Sequence, residues 1–144
     1  MKLNFFHTTK IRVRYGETDQ MGYCYYGNYA QYFEVGRVEA LRDLGMSYRK
    51  MEENGIMLPV SDFQVKYKQP ALYDDELSIV TKIIAIEGCR LYFEYEIKNE
   101  ENKIISTAST TLVFVSRETM RPTPPPSNFI ELLKNFKRID TNEK

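Results

Sequence analysis

The chain has 144 residues, and its 20 basic side chains balance 20 acidic ones. This length predicts one domain over residues 1–144 with a sizeable core, and a net charge of zero gives no attraction to nucleic acid or an anionic membrane. No signal peptide is evident and no apolar run approaches the roughly 18 residues of a membrane-spanning helix, so the sequence predicts a cytoplasmic protein.

Side chains for several common catalytic sites are scarce. Cys24 and Cys89 are too few and too isolated for a disulfide framework or a zinc site, and we expect both to be reduced. His7 is the only histidine, and it lies in a polar N-terminal segment that we expect to be frayed. No glycine-rich nucleotide-binding motif is present. The sequence therefore predicts no metal and no cofactor, and leaves catalysis to carboxylates, hydroxyls and backbone dipoles.

A short strand and one long helix begin the chain. Apolar side chains alternate with arginines over residues 10–15, which predicts a half-buried strand. Apolar or small residues then recur at helical spacing from Tyr29 to Leu44, where Asn28 should cap the helix in a capping box with Gln31. A glycine in mid-helix, Gly36, costs about 1 kcal/mol relative to alanine. That cost indicates that another backbone crosses close to the helix at this point.

The rest of the chain is mostly strands. Ser47 should cap a short second helix that ends near Glu53. A period of two then predicts four strands, at about residues 57–68, 76–87, 89–98 and 103–116. In the first of these, Phe63, Val65 and Tyr67 should form a buried face. One early helix followed by antiparallel strands predicts an α+β fold. A proline-rich connector, residues 121–126, leads to an amphipathic segment, residues 128–136, expected to pack on the body.

The stretch from Tyr15 to Arg37 joins the first strand to the long helix, and Asp19 lies in the loop between them. The first turn of a helix has unpaired N–H groups and the positive end of the helix dipole, so it can polarise a carbonyl. A carboxylate beside that carbonyl can attack it or activate water. The alternative is that Asp19 only supports the turn, together with Thr18 and Gly22.

A set of residues spread from about Lys10 to Val115 carries a family signature. Its members are Tyr15, Glu17, Thr18, Asp19, Gly22, Tyr25, Asn28, Tyr29, Phe33, Glu34, Arg37, Gly55, Pro59, Val60, Tyr67, Pro70, Tyr73, Asp74 and Asp75. The pattern resembles the 4-hydroxybenzoyl-CoA thioesterase family, in the branch that includes acyl-CoA thioesterases associated with the Tol-Pal system. The resemblance implies a hotdog fold, in which an antiparallel sheet wraps around a central long helix, and hydrolysis of an acyl-CoA thioester.

The resemblance also implies roles for particular residues. Asp19 would be the nucleophile or general base, and the backbone N–H of Tyr26 or Gly27 would stabilise the oxyanion. The substrate would contact Tyr23, Tyr29, Pro59 and Val60 around the acyl group and Arg90 and Arg121 at the nucleotide end. The leaving thiol has a pKa of about 8.5, by analogy with cysteine, so it can leave as a thiolate and this reaction needs no histidine acid. The bulky pair Tyr23 and Cys24 departs from the small aliphatic residues of relatives, which bears on the choice of acyl group.

Several alternatives stay open at this stage. Glu17 is a rival carboxylate or a structural partner, for example of Arg37, and Cys24 is either an activated thiol or a buried small residue. The thiol carrier could be acyl carrier protein instead of coenzyme A, or the protein could bind acyl-CoA without catalysis. The resemblance further implies a homodimer or homotetramer with its active site at the subunit interface, since paired subunits hide the edges of the sheet.

Overall fold

The computed structural model describes residues 1–136, so the end of the predicted domain at residue 144 lies outside the described residues. Three helices and seven strands are present in this part of the chain. The helices are α1 (Tyr29–Leu44), α2 (Tyr48–Glu53) and α3 (Ser127–Asn135). The strands are β1 (Lys2–Arg12), β2 (Ile56–Met57), β3 (Val60–Tyr67), β4 (Glu76–Glu87), β5 (Arg90–Lys98), β6 (Ile104–Val113) and β7 (Val115–Ser116).

Five of these strands form one antiparallel sheet in the order β1-β4-β5-β6-β3, and β2 pairs with β7 beside it. Helix α1 packs against one face of the sheet, mainly on β1 and β4. The buried core lies between them, and its largest side chains include Phe5, Tyr32, Phe33, Leu41, Leu77, Ile79, Ile83, Leu91, Phe93 and Ile97. The predicted α+β architecture, an antiparallel sheet around one long helix, is confirmed.

Gly36 allows helix α1 to lie directly against the centre of the sheet. A Cβ atom added to Gly36 would stand 2.5 Å from Thr81 Oγ1 and 2.8 Å from Ile79 Cγ2. Both of these β4 side chains are fully buried. The prediction was that another backbone crosses close to Gly36; the atoms closest to a Cβ there belong instead to side chains of strand β4. The helix ends as predicted at Gly45, which has a φ of 100° that glycine adopts without strain.

The N-terminal segment is a strand, so the prediction of a frayed end around His7 was wrong. Strand β1 begins at Lys2, and His7 is paired with Thr81 of β4. Phe5 is buried and packs edge-on against Phe136, with ring centroids 4.5 Å apart. These contacts order the segment although its sequence is largely polar. The strand also ends earlier than predicted, at Arg12, and Tyr15 begins a 3-10 turn, Tyr15–Glu17.

Strand β3 lacks the buried face that its alternation predicted. Phe63 and Tyr67 remain 39% and 47% exposed, although Val65 is half-buried. The reason is topological, because β3 is the outermost strand on one side of the sheet while α1 packs mainly over β1 and β4. Phe63 and Tyr67 reach the rings of Phe33 and Tyr29 on α1, but much of each side chain stays exposed, so this aromatic edge of the sheet is only partly covered.

The remaining predicted elements are found close to their expected positions. Ser47 Oγ accepts the Lys50 N–H at 3.1 Å and caps α2, as predicted. The amphipathic C-terminal segment forms α3, and its Phe129 and Leu133 are buried against the body. No helix within residues 1–136 has both the length and the apolar character needed to cross a lipid bilayer.

Candidate active site

Asp19 lies in a tight loop whose own backbone fixes its side chain. The Asp19 N–H donates to the Tyr23 carbonyl at 2.8 Å, and the Gly22 N–H donates to the Asp19 carbonyl at 3.0 Å. Gly22 has a φ of 84°, a left-handed conformation that favours glycine. Oδ1 of Asp19 accepts the N–H of Met21 at 2.9 Å and that of Tyr23 at 3.4 Å. Within residues 1–136, Oδ2 receives no hydrogen bond, so the half-buried carboxylate is oriented with one oxygen available.

A 3-10 turn, Tyr26–Asn28, precedes α1 and adds a further turn to the start of the helix. No acceptor for the backbone N–H groups of Tyr26 and Gly27 occurs in the part of the chain that the structure describes. The predicted capping box was wrong, because Asn28 has helical angles and makes no side-chain cap. Its Nδ2 instead donates to the Glu17 carbonyl at 2.8 Å. Two unpaired N–H groups thus stand at the positive end of the helix, as an oxyanion site requires.

Asp19 and this turn share one cavity of about 280 Å³. Its lining residues are Asp19, Met21, Tyr23, Cys24, Tyr26, Tyr29, Tyr67, Lys68, Gln69 and Pro70. Tyr67 packs near two of the other rings, with its centroid 6.0 Å from that of Tyr26 and 5.2 Å from that of Tyr29. Burial raises the pKa of Tyr29 to about 12, so its hydroxyl is protonated at neutral pH. Four of the ten lining residues are thus tyrosines, and the lining also includes one carboxylate and one ammonium group.

Glu17 is held as a structural carboxylate, with a side chain only 12% exposed. Its oxygens accept the Arg14 backbone N–H at 2.9 Å, two Arg14 guanidinium N–H groups at 3.2 and 2.9 Å, and the Tyr32 hydroxyl at 2.9 Å. Burial raises the pKa of Glu17, but these bonds outweigh it and hold the pKa below its ordinary value. A direct pairing with Arg37 was wrong, because the buried Arg37 donates to the hydroxyls of Tyr48 and Tyr95, each at 3.2 Å.

Neither a thiol nor a metal cluster stands out in this cavity. Cys24 is buried, and its Sγ donates to the Tyr32 hydroxyl at 3.3 Å. Burial raises the pKa of Cys24, which keeps the thiol protonated and favours the interpretation of a buried small residue. Among residues 1–136, no group of three or more histidine, cysteine or acidic side chains is placed to hold a metal ion.

Four of the expected substrate-binding residues lie away from the cavity of their own chain. Pro59 and Val60 are exposed at the start of β3, whereas the cavity is at its other end, beside Tyr67. Arg90 pairs with Val113 of β6, whereas Tyr67, at the cavity, pairs with Ser106 of the same strand. Ser106 and Val113 are seven residues apart, which corresponds to about 23 Å along the strand at about 3.3 Å per residue. The Arg121 carbonyl accepts the Ser116 N–H at 2.8 Å, also beyond Val113.

Other residues of the cavity received no role from the sequence. Met21 lies two residues after Asp19, and Lys68 and Gln69 follow Tyr67 directly, so all three are close in the chain to residues of the family signature. Tyr67 and Pro70 belong to the family signature, which was a usable signal. The expected residues Asp19, Tyr23, Tyr26 and Tyr29, in contrast, are brought together around the cavity. Gly27 is not among the lining residues, but it follows the lining residue Tyr26 in the 3-10 turn.

Comparison with known proteins gives consistent matches over most of the chain. The sequence profile of the thioesterase-like superfamily matches residues 13–133. A Bacillus subtilis protein named "Putative acyl-CoA thioesterase YneP" is 36% identical over 118 residues, covering 81% of this chain and 86% of its own. The crystal structure of a DHNA-CoA thioesterase from Staphylococcus aureus is also 36% identical, with a TM-score of 0.85 over 90% of this chain and 89% of its own. A chloroplastic acyl-acyl carrier protein thioesterase of Arabidopsis thaliana, ATL3, is 28% identical over 94% of this chain and 71% of its own.

Proposed function

Since the chain belongs to the thioesterase-like superfamily and is a thioester hydrolase with the hotdog fold, we propose that it hydrolyses an acyl-CoA thioester to a free acid and coenzyme A. One observation carries the proposal: Asp19, with one oxygen free of hydrogen bonds among residues 1–136, lines the same cavity as Tyr26, the first residue of the turn whose Tyr26 and Gly27 N–H groups lack an acceptor there. The two relatives that are 36% identical are both named for CoA thioesters, which supports coenzyme A as the carrier.

The proposed reaction needs only groups that this cavity supplies. The thioester carbonyl oxygen accepts the N–H groups of Tyr26 and Gly27, which stabilise the negative charge that develops on it. Oδ2 of Asp19 attacks the carbonyl carbon to form an anhydride that water then hydrolyses, or it takes a proton from the attacking water. In either route the C–S bond breaks, and coenzyme A leaves as a thiolate. Because the pKa of its thiol is about 8.5, by analogy with cysteine, a dedicated acid is unnecessary.

The aromatic walls of the cavity are proposed to surround the acyl group. Tyr23, Tyr26, Tyr29 and Tyr67 all line the cavity, and the ring of Tyr67 packs near those of Tyr26 and Tyr29. Rigid tyrosine rings contribute apolar faces together with hydroxyl groups, so they suit a flat or partly polar acyl group as well as a short aliphatic one. A panel of aromatic and aliphatic acyl-CoA esters, compared by kcat/KM, identifies which of these the cavity favours.

The site is proposed to be shared between two copies of the chain in a homodimer, or in a homotetramer built from two such dimers. Strand β3 is an uncovered edge with exposed Phe63 and Tyr67, which a second copy would bury. A two-fold axis at this edge pairs β3 with its own copy in antiparallel fashion. The start of one β3, with Pro59 and Val60, then lies beside the Tyr67 end of the other. This pairing supports roles for Pro59, Val60, Arg90 and Arg121 in the partner's cavity.

The experiment that tests the function replaces Asp19 by Asn. The change keeps size and hydrogen bonding but removes the charge and the basic oxygen, so kcat should fall by roughly 10²–10⁴. KM should stay similar or decrease, because the cavity walls and the N–H groups are unaltered. Thiol release from acyl-CoA, followed with a colorimetric thiol reagent, measures both. A stably folded Asp19→Asn protein with near-wild-type kcat would refute the proposed role and leave Asp19 a support of its turn.

Acyl carrier protein is the second candidate carrier, and the similarity to the Arabidopsis enzyme favours testing it. The same acyl group is presented on coenzyme A and on acyl carrier protein, and thiol release is compared. Turnover confined to the carrier protein would overturn the choice of coenzyme A. Calorimetric binding of acyl-CoA without any thiol release would instead indicate a non-catalytic binding protein.

A further inference from the structure

The hydroxyl of Tyr32, the fourth residue of α1, is hydrogen-bonded to both a thiol and a carboxylate. It donates to Glu17 Oε1 at 2.9 Å, and it accepts from Cys24 Sγ at 3.3 Å. Tyr32 is fully buried, and its ring stacks on that of Tyr29, with centroids 5.8 Å apart and planes 29° apart. Tyr32 does not line the cavity itself, yet it contacts residues on both sides of Asp19.

The protonation states of this group fix the direction of the hydrogen bonds. Burial raises the pKa of both Cys24 and Tyr32, so the thiol and the phenol keep their protons at neutral pH. Burial also raises the pKa of Glu17, but bonds from Arg14 and Tyr32 lower it overall, and the carboxylate is ionised. The Tyr32 hydroxyl therefore donates to a negative charge, and such charge-assisted bonds are about twice as strong as neutral ones.

Glu17 is joined to the start of the helix at a second place, through its backbone. Its carbonyl accepts the Tyr25 N–H at 2.8 Å and the Nδ2 of Asn28, also at 2.8 Å. The residue two positions before Asp19 is thus fixed to α1 twice, by its backbone at the N-terminal turn and by its side chain at Tyr32. The N–H groups of Tyr26 and Gly27 lie in the same N-terminal turn.

We propose that Tyr32 is a positioning residue for Asp19, acting through Glu17 to hold the Asp19 loop in register with the N–H groups at the start of α1. This inference rests on the proposed function. Without the Tyr32 hydroxyl, Arg14 is the one partner within residues 1–136 that the Glu17 side chain keeps, and Arg14 is exposed and only three residues away in the chain. The loop then loses both of the side-chain bonds that join it to Tyr32, those of Glu17 and Cys24, and can shift relative to the oxyanion donors.

The first test replaces Tyr32 by Phe, which keeps the ring and removes the hydroxyl. Because a misplacement of about 1 Å can cost roughly 10²-fold in rate, we expect kcat to fall about ten- to a hundredfold while KM changes by less than about twofold. The matched control is Tyr95→Phe, in β5. Tyr95 is equally buried, and its hydroxyl is bonded to Thr110 at 2.6 Å and to Arg37 at 3.2 Å, away from the cavity. Both variants lose a buried hydroxyl, but only Tyr32→Phe should lose kcat per folded molecule.

The second test asks whether Tyr32 acts through Asp19. In the Asp19→Asn background, Tyr32→Phe should lower kcat by less than about twofold, because the group it positions is already disabled. An undiminished kcat in Tyr32→Phe would overturn the inference. A loss of the same factor with or without the Asp19 carboxylate, or an equal loss in Tyr95→Phe, would also overturn it and assign Tyr32 a purely structural role.

A third measurement does not depend on activity and separates this inference from the proposed function. The N–H groups of Met21 and Tyr23 donate to Asp19, so hydrogen exchange over residues 18–25 reports how firmly the loop is held. Exchange there should become faster in Tyr32→Phe and stay unchanged in Tyr95→Phe. If the wild type releases no thiol, but exchange over residues 18–25 is still faster in Tyr32→Phe than in the wild type, the proposed function fails while the link between Tyr32 and the loop stands. Unchanged exchange in Tyr32→Phe would overturn the link even in an active enzyme.

Discussion

Replacing Gly36 by Ala tests how closely the central helix is seated on the sheet. The added Cβ would lie 2.5 Å from Thr81 Oγ1 and 2.8 Å from Ile79 Cγ2, both well below van der Waals separation. Neither atom can move away easily, because both side chains are β-branched, fully buried and carried by a strand with neighbours on each side. Helix α1 must therefore move away from β4, and this opens space along the core.

The size of the effect follows from two opposing contributions. Alanine improves helix propensity by about 1 kcal/mol relative to glycine. Overpacking a well-packed core costs about 1–3 kcal/mol, and two contacts under 3.0 Å place this site at the upper end of that range. We therefore expect Gly36→Ala to lower the free energy of unfolding by about 2 kcal/mol. For a chain of this size the melting temperature should fall by about 4–8 °C.

Urea or thermal unfolding of Gly36→Ala, Thr81→Ala and the double variant measures this prediction. In the Thr81→Ala background the shorter of the two contacts is absent, so the added methyl should cost clearly less than in the wild type. Thr81 Oγ1 is buried without a hydrogen-bond partner among the described residues, so its removal leaves no broken bond behind. A Gly36→Ala protein as stable as the wild type, or a cost unaffected by Thr81→Ala, would refute the close seating.

Two further predictions concern acid stability and assembly. Because the pKa of folded Glu17 is lowered below its unfolded value of about 4.3, its contribution to stability is present above that pH and is lost as the pH falls through the folded pKa. Urea unfolding at a series of pH values from 7 to about 3 should show this loss in the wild type and a flatter dependence in Glu17→Gln; equal slopes would contradict it. For assembly, Phe63→Arg places a charge on the exposed β3 edge, so light scattering should give a monomer mass and turnover should be lower. The control is Val35→Arg on α1, where the native side chain is about as exposed, and it should leave the mass unchanged. A Phe63→Arg protein that keeps its multimeric mass would remove β3 from the interface.

Helices and strands whose limits are marked by residues within or next to them were predicted well from the sequence. The bounds of α1 and β4 agree with the prediction, because a helical stripe ended by Gly45 and a β-branched run ended by Gly88 both mark their own limits. Strand β1 was underestimated because its order comes from non-local contacts, the ladder with β4 and the burial of Phe5. The burial of β3 was overestimated because alternation shows which side chains share a face but not whether anything covers that face.

The candidate site was only partly accessible to sequence reasoning. The resemblance selected Asp19 and the turn at Tyr26, and the structure gathers both around one cavity with Tyr23 and Tyr29. Sequence spacing does not show which arginine pairs with Glu17. Arg14 is three residues away in the chain, but an arginine on the following helix, such as Arg37, can also come close to Glu17 once the chain folds. The choice is made in three dimensions, where Arg37 is occupied by two tyrosine hydroxyls two turns along α1. No pattern in the sequence indicates that the hydroxyl of Tyr32 would reach Glu17.

The different roles proposed for the two carboxylates follow from the hydrogen bonds that their oxygens accept. Glu17 receives four hydrogen bonds, including two from a guanidinium, and its lowered pKa makes it a weak base. Among the described residues, Asp19 receives bonds from two backbone N–H groups on a single oxygen, so its other oxygen keeps electron pairs for a carbonyl carbon or a water proton. A carboxylate saturated by donors is suited to holding a loop, and one with a free oxygen is suited to chemistry. The same loop therefore needs both, and exchanging their roles would require a new set of donors around each.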